Sequence, residues 1–333
     1  IALAAADANV AHVLRNHFTA VEFYLRHPVT ARQRTLRAAV QDGALIGLAM
    51  AEQDSARIGA VGYRTLLTPD GDGFRLDGTK FYCTGTLFAD YVLVRATAPA
   101  DMVASVIIPT SRAGVEIIDD WDGTGQRLTG SGTTRLHAVR VEADEAILDS
   151  EDRGRGLHYR TPYNNTQAQL FITAVNAGIL AAVLKDATAL LRARERPFYF
   201  APAERPGNDP LLQQTVGSIA SDAFAARATV LAAAQALDEA SHARDAGVGD
   251  THLAHEAAAA AAKAKILVDE LVQRAAARLF DVGGASSTRR SLNLDRHWRN
   301  ARTLASHNPA AYKAQAIGNY EINGTFLPEK GFF

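Results

Sequence analysis

The sequence predicts an α+β, multidomain protein with N-terminal helices, a central antiparallel β barrel and a C-terminal helical bundle. Three observations predict it. Apolar residues recur at helical spacing before residue 45, short alternating segments with turn signals fill residues 46–150, and long alanine-rich stretches occupy residues 151–333. Each of these three ranges is read as a separate segment.

In residues 1–45, Leu3, Val10, Val13, Leu14, His17, Phe18 and Val21 recur at spacings of three, four and seven, giving one apolar face. Pro28 and Thr30 break the pattern before a second short helix through Leu36 and Val40, which ends near Gly43. The chain opens at Ile1 already in helical register, so this segment reads as truncated.

The middle segment carries candidate strands at Ala60–Leu67, Gly73–Leu76, Tyr91–Ala96, Val103–Ile108, Val115–Ile118 and Thr134–Val141. Pro69-Asp70-Gly71-Asp72-Gly73, Asp77-Gly78, Arg112-Ala113-Gly114 and Asp122-Gly123 supply the turns between them. Strands this short and this closely spaced suit a small antiparallel barrel. The polar stretch Ala51–Gly59 reads equally as a solvated barrel loop or as part of a mobile lid.

From Leu157 the pattern is helical again. Phe171–Arg194, Pro210–Ala246 and Thr251–Phe280 are long enough for bundle helices, with a last helix over Arg296–Ala305 or after Pro309, so 151–333 is read as a four-helix bundle.

Composition excludes several classes. A formal net charge of -1 gives no field that would favour nucleic acid or an anionic membrane. The single cysteine, Cys83, excludes an intrachain disulfide framework and suits a reducing compartment, with the cytoplasm as default. No uninterrupted apolar run is long enough to span a bilayer, and no histidine or acidic cluster has metal-ligand spacing. His252 and His255 sit on what reads as an exposed alanine-rich stretch.

Five segments carry the chemistry. Leu294-Asp295-Arg296-His297-Trp298-Arg299-Asn300-Ala301-Arg302, followed by Ser306-His307-Asn308-Pro309, resembles a segment of the acyl-CoA dehydrogenase family. There an Arg-Asp-x-Arg/Lys run leads into Ile-Tyr-Glu-Gly, whose glutamate is the catalytic base. Arg299 and Arg302 match the basic pair, His307 falls on the tyrosine and Asn308 on the glutamate. An amide cannot take an α-proton, so the resemblance implies the fold without its dehydrogenation chemistry. The order of helices, barrel and bundle matches the same family.

Lys80-Phe81-Tyr82-Cys83-Thr84-Gly85-Thr86 resembles the family stretch that edges the flavin ring, with Thr84 at the threonine that bonds near N5. The resemblance therefore implies that Tyr82, Cys83, Thr84, Gly85 and Thr86 bind cofactor. Cys83 itself reads as a packed small side chain rather than a nucleophile. Trp121-Asp122-Gly123-x-Gly125-Gln126-Arg127-Leu128-Thr129-Gly130-Ser131 looks like the two-component flavin monooxygenases on this fold, notably the dibenzothiophene monooxygenase and sulfone-metabolism group. That adds Trp121 and Ser131. Glu195-Arg196-Pro197-Phe198-Tyr199 resembles the family's Arg-x-x-Phe-Gly, whose arginine reaches the flavin phosphate; the resemblance makes Arg196 the candidate, with Arg194 its rival. Gly283-Gly284-Ala285-Ser286 resembles a family element that contacts flavin and places Ala285 and Ser286 beside it, although a helix C-cap explains the glycines equally well. Its last glycine is missing, which leans toward FMN over FAD.

In that monooxygenase group, histidines at the positions of His17 and His307 lie near the flavin's reactive edge. Taken alone, His17 reads as a core histidine. The resemblance implies an oxidoreductase whose barrel forms the flavin and substrate domain. Reduced FMN from a separate reductase would react with O₂ to a C4a-(hydro)peroxyflavin and oxygenate a small sulfur- or nitrogen-containing substrate in a homotetramer. His17, His307 and Asn308 are the catalytic candidates. The alternatives are an acyl-CoA dehydrogenase with a relocated base and a catalytically silent flavin-binding homologue.

Overall fold

The computed structural model describes the chain apart from residues 27, 29, 54–61, 149–162, 249, 330 and 331. Its contacts gather into a helical unit (Ile1–Ala11, Gly123–Gln126, Asn165–Phe333) and a sheet unit (His12–Asp122, Arg127–Asn164).

The helical unit is framed by α4 (Thr166–Ala193), α5 (Pro210–Asp245) and α6 (Thr251–Gly283), preceded by α1 (Ala2–Ala6) and the start of α2 (Ala8–Ala20). Start signals are explicit in the sequence. Asp209 accepts from the Leu211 N–H with Pro210 in the first turn, and Asp250 accepts from the His252 and Leu253 N–H groups. Leu180, Val183, Ile219, Val272 and Leu279 fill the core, while Ala257, Ala258, Ala261, Ala264, Ala275 and Ala276 are buried along α6 and keep its side chains short. Gly178 has a packing reason: a Cβ there would stand 2.5 Å from the Ala4 Cβ. α4 is long and apolar enough to cross a membrane, but 67% of its apolar window is buried, which marks it as the core helix of the bundle. α7 (Arg296–Ala305) packs on α4 and α6, and α8 (Ala310–Asn323) packs on α6.

One expectation is corrected here. His255 is fully buried rather than exposed, because Phe326 stacks on its ring at 4.2 Å and Tyr320 meets it edgewise at 4.4 Å. The covering residues lie far along the chain, so periodicity within α6 could not reveal them.

In the sheet unit, α2 runs on through a π-helical turn (Val21–Leu25), and α3 (Ala31–Gln41) starts at a Thr30–Gln33 capping box. Eight strands follow: β1 (Ile46–Ala49), β2 (Leu66–Asp70), β3 (Gly73–Lys80), β4 (Tyr91–Ala98), β5 (Met102–Pro109), β6 (Val115–Ile118), β7 (Thr133–Val141) and β8 (Ala146–Leu148). Their order is β6-β7-β3-β2-β4-β5-β8, with β1 added on β4. Most pairings are antiparallel, as the turn signals require. β1 pairs with β4 in parallel, and so does β2, at Leu66↔Thr97. The β1 pairing is possible because residues 50–90, including the β2–β3 hairpin, supply the long crossover that parallel strands need. β1 and β8 have only four and three residues, too short for alternation to announce them. Pro69 and Asp70, read as turn, close β2 instead, opposite Phe74 and Gly73.

The first part of the candidate strand Ala60–Leu67, most of Ala51–Gly59 and the stretch from Leu157 to Pro162 lie outside the described residues. Ala51 and Glu52 are described. The Ala51 carbonyl accepts from the Phe81 N–H at 2.9 Å.

Candidate active site

In the sheet unit, the connection between β3 and β4 carries the predicted flavin edge. Tyr82 and Gly85 both adopt positive φ, at 57° and 84°. These turns place Thr84 inward, where its Oγ1 lies 2.7 Å from Ser131 Oγ, and Ser131 Oγ is also 2.7 Å from Thr129 Oγ1. All three hydroxyls are buried. The predicted pair Thr84 and Ser131 is thus brought together, and Thr129 extends it into a chain. The Tyr82 and Trp121 rings meet edge to face at 6.1 Å.

The other members of the stretch support the backbone. Thr86 Oγ1 donates to the Cys83 carbonyl at 2.8 Å. Cys83 is fully buried, and burial pushes its thiol up to about 11 despite the hydroxyl of Thr134, so it is no nucleophile. Lys80, also fully buried, donates to Glu52 at 2.7 Å and to the Met50 carbonyl at 3.2 Å, and stands 4.2 Å over the Tyr63 ring. Burial pushes its ammonium down to about 8 against the attraction of Glu52. Burial pushes the Glu52 carboxyl up, but hydrogen bonds from Lys80, Thr65 and Arg64 outweigh it and hold the group down at about 2.

His17 is half-buried on α2, and its Nδ1 accepts the Ile46 backbone N–H at 3.2 Å. An accepting Nδ1 makes the ring neutral and puts its proton on Nε2. Burial lowers the imidazole below its ordinary value, which reinforces the neutral form. Asn16, its neighbour, donates to the Thr84 carbonyl at 2.9 Å. Sequence reading did not single out Asn16, although a polar residue on an otherwise apolar helix stripe was a usable signal.

In the helical unit, α7 ends at the segment that carries His307 and Asn308. Asn308 is 4% exposed, and both its amide protons are used: Nδ2 donates to Gln169 Oε1 at 2.7 Å and to His307 Nδ1 at 3.2 Å. His307, exposed, is therefore also a neutral ring with its proton on Nε2. Asn308 Oδ1 is buried with no donor among the described residues. Gln169 is a second missed residue, a buried amide on the apolar helix α4.

The matched basic pair is structural. Arg299 donates to Asp295 and to Asn293, each at 2.8 Å, and Arg302 to Gln273 at 2.9 Å. Gly125 has a packing role, and the backbone it admits is the protein's own. Its hypothetical Cβ would fall 2.1 Å from the Arg299 carbonyl oxygen, while its N–H donates to Thr303 Oγ1 at 3.0 Å. Arg196, Ala285 and Ser286 are exposed. Arg194 is the arginine that reaches the glycine pair: its guanidinium donates to the Val282 carbonyl at 3.1 Å and lies beside Gly284, while its Nε donates to the Arg196 carbonyl at 3.3 Å.

The sheet unit thus carries a buried hydroxyl chain beside Asn16 and His17, and the helical unit carries an amide, Asn308, bonded to His307. Residues 170–311 match the family described as acyl-CoA dehydrogenase, C-terminal domain. The chain is 30% identical to dibenzothiophene monooxygenase of Rhodococcus erythropolis over 347 residues, covering 99% of this chain and 80% of the relative. It superposes with a TM-score of 0.86 and 28% identity on TdsC of Paenibacillus sp. A11-2, solved with FMN and indole, over 99% of this chain and 83% of that one. With the methanesulfinate monooxygenase MsuC of Pseudomonas fluorescens the TM-score is 0.88 at 26% identity, with the same coverage. The chain belongs to the dibenzothiophene monooxygenase family, flavin-dependent oxidoreductases of the acyl-CoA dehydrogenase fold.

Proposed function

We propose that the protein is a monooxygenase that takes reduced FMN from a separate flavin reductase and transfers one atom of O₂ to the sulfur or nitrogen of a small substrate, the other atom leaving as water. The observation that carries this reading is Asn308. With both amide protons donated and no carboxylate at that position, the residue cannot abstract an α-proton, and it holds His307 as a neutral donor. Among the described residues, these buried carboxylates are already engaged. Glu145 pairs with Arg32 and Arg112, Asp222 with Arg274 and Asp269 with Lys265, while Asp209 caps α5.

The residues present fit a flavin. In the sheet unit, the hydroxyl chain through Thr84, Ser131 and Thr129 suits the carbonyl oxygens and N–H groups of a flavin ring; in the helical unit, Asn308 Oδ1 is a buried acceptor with no donor among the described residues. Thr84 and Ser131 would face the ring, Tyr82 and Trp121 would flank it, and Arg194 or Arg196 with Ala285 and Ser286 would meet the phosphate end. Bound reduced FMN supplies the two electrons that activate O₂. The chain's own part is electrostatic. Neutral Nε2–H groups at His17 and His307 stabilise negative charge developing on oxygen without losing a proton to it outright. A cytoplasmic homotetramer belongs to the same reading.

The test supplies reduced FMN enzymatically under ¹⁸O₂, with a panel of aryl sulfides, thiophenes and indole. Appearance of product bearing a single ¹⁸O, dependent on the protein, is the expected result. Hydrogen peroxide alone, formed no faster than free flavin makes it, would overturn the proposal and direct attention to CoA esters.

A further inference from the structure

Beyond α8 the chain returns to His307. Lys313, on the first turn of α8 and 3% exposed, donates from its ammonium to the Phe332 carbonyl and stands 4.3 Å over the Phe333 ring. The Phe332 ring in turn meets the His307 imidazole edge to face, with centroids 5.4 Å apart and planes at 78°. The nearby carboxylate is already engaged. Asp269 accepts from Lys265 Nζ at 2.5 Å and from Asn176 Nδ2 at 2.7 Å, and Lys265 also donates to the Ala305 carbonyl at 3.2 Å.

Lys313 is thus a buried cation with one carbonyl and one aromatic face as its described partners. Such burial is costly, and it pushes the ammonium down to about 8, with Lys265 adding in the same direction and Asp269 opposing. A methionine would fill the volume without that cost. What the ammonium adds over a methionine is its hold on Phe332 and Phe333, and the segment so held touches His307.

We propose that Lys313 is a positioning residue for His307, clamping the Phe332–Phe333 segment so that the Phe332 ring fixes the plane of the imidazole. The proposal rests on the reading of His307 as a group that faces the reacting atoms. Asn308 fixes one edge of the ring through Nδ1, and Phe332 sets its tilt. Because an oxygen atom is delivered over a short, directed path, a tilted imidazole lowers turnover more than substrate affinity.

The test compares full-length Phe332→Ala, Lys313→Met and Lys313→Arg with the parent protein in two measurements. The first is the NMR shift of the His307 ring protons without flavin, which carries the ring current of Phe332. The second is kcat and KM for an aryl sulfide with reduced FMN. Phe332→Ala and Lys313→Met are expected to move the His307 resonances alike and to lower kcat roughly tenfold with KM little changed, and Lys313→Arg to restore both. Phe332→Ala alters a half-buried position and reports on the contact even where Lys313→Met fails to fold. Unmoved His307 resonances in Phe332→Ala, or in a folded Lys313→Met, would overturn the proposal. Absence of oxygenation in the parent protein would count against the functional reading alone, since the resonances still decide the clamp.

Discussion

His17 in the sheet unit and His307 in the helical unit reach the same chemical state by different means. Each is neutral with its proton on Nε2, because an N–H group donates to Nδ1. For His17 the donor is the backbone of Ile46, at the start of β1, so the tautomer is built into the sheet and no side-chain substitution removes it. For His307 the donor is the Asn308 amide, oriented by Gln169, so the state is tunable by sequence. One site is fixed by folding and the other by side-chain choice.

Removing either histidine outright is the largest test of this symmetry. His17→Gln and His307→Gln should each lower oxygenation roughly 10³-fold with flavin binding retained, within the range known for positioned acid–base groups. Equal losses sharpen the comparison, and a loss at one residue alone breaks it. Next in size is Glu52→Gln, which strands the buried Lys80. It should cost about 3 kcal/mol in denaturant unfolding while leaving the His17 tautomer intact. The same carboxyl sets a pH dependence. Its folded value is depressed, so its stabilisation is present above the ordinary carboxylate range and lost as pH falls toward about 2.

Asn308→Asp addresses the tunable half. A carboxylate accepts rather than donates, so it moves the His307 proton to Nδ1 and favours the charged ring. Turnover should fall roughly tenfold and the acid limb of the rate profile should move to higher pH. The parent enzyme's His17 should keep its neutral form below the ordinary imidazole value near 6.5, because burial lowers it; the stability tied to that neutral form is present above 6.5 and lost as pH falls from there through the lowered value. Gln169→Leu removes only the support of Asn308 and should cost roughly threefold in turnover. These rates come from steady-state assays over a pH series.

Much of the fold was legible because each signal was local. The Asp209-Pro210 and Asp250 starts, the long apolar α4 and the Gly71-Asp72 hairpin all declare themselves within a few residues. The sheet order was not legible, since β1 and β4 pair across more than forty residues of intervening chain. The site divides likewise. His307 and Asn308 could be singled out because their neighbours Arg299 and Arg302 fixed their alignment, and Thr84 and Ser131 because each sits in a motif. Asn16, Gln169 and Lys313 carried no motif. Their importance lies in partners that only the folded chain supplies.

The most direct measurement is the long-range ¹H–¹⁵N correlation spectrum of histidine-labelled protein at neutral pH. The account predicts that His17 and His307 both show a protonated Nε2 and an unprotonated, hydrogen-bonded Nδ1. A proton on Nδ1, or a charged ring, at either residue would contradict it.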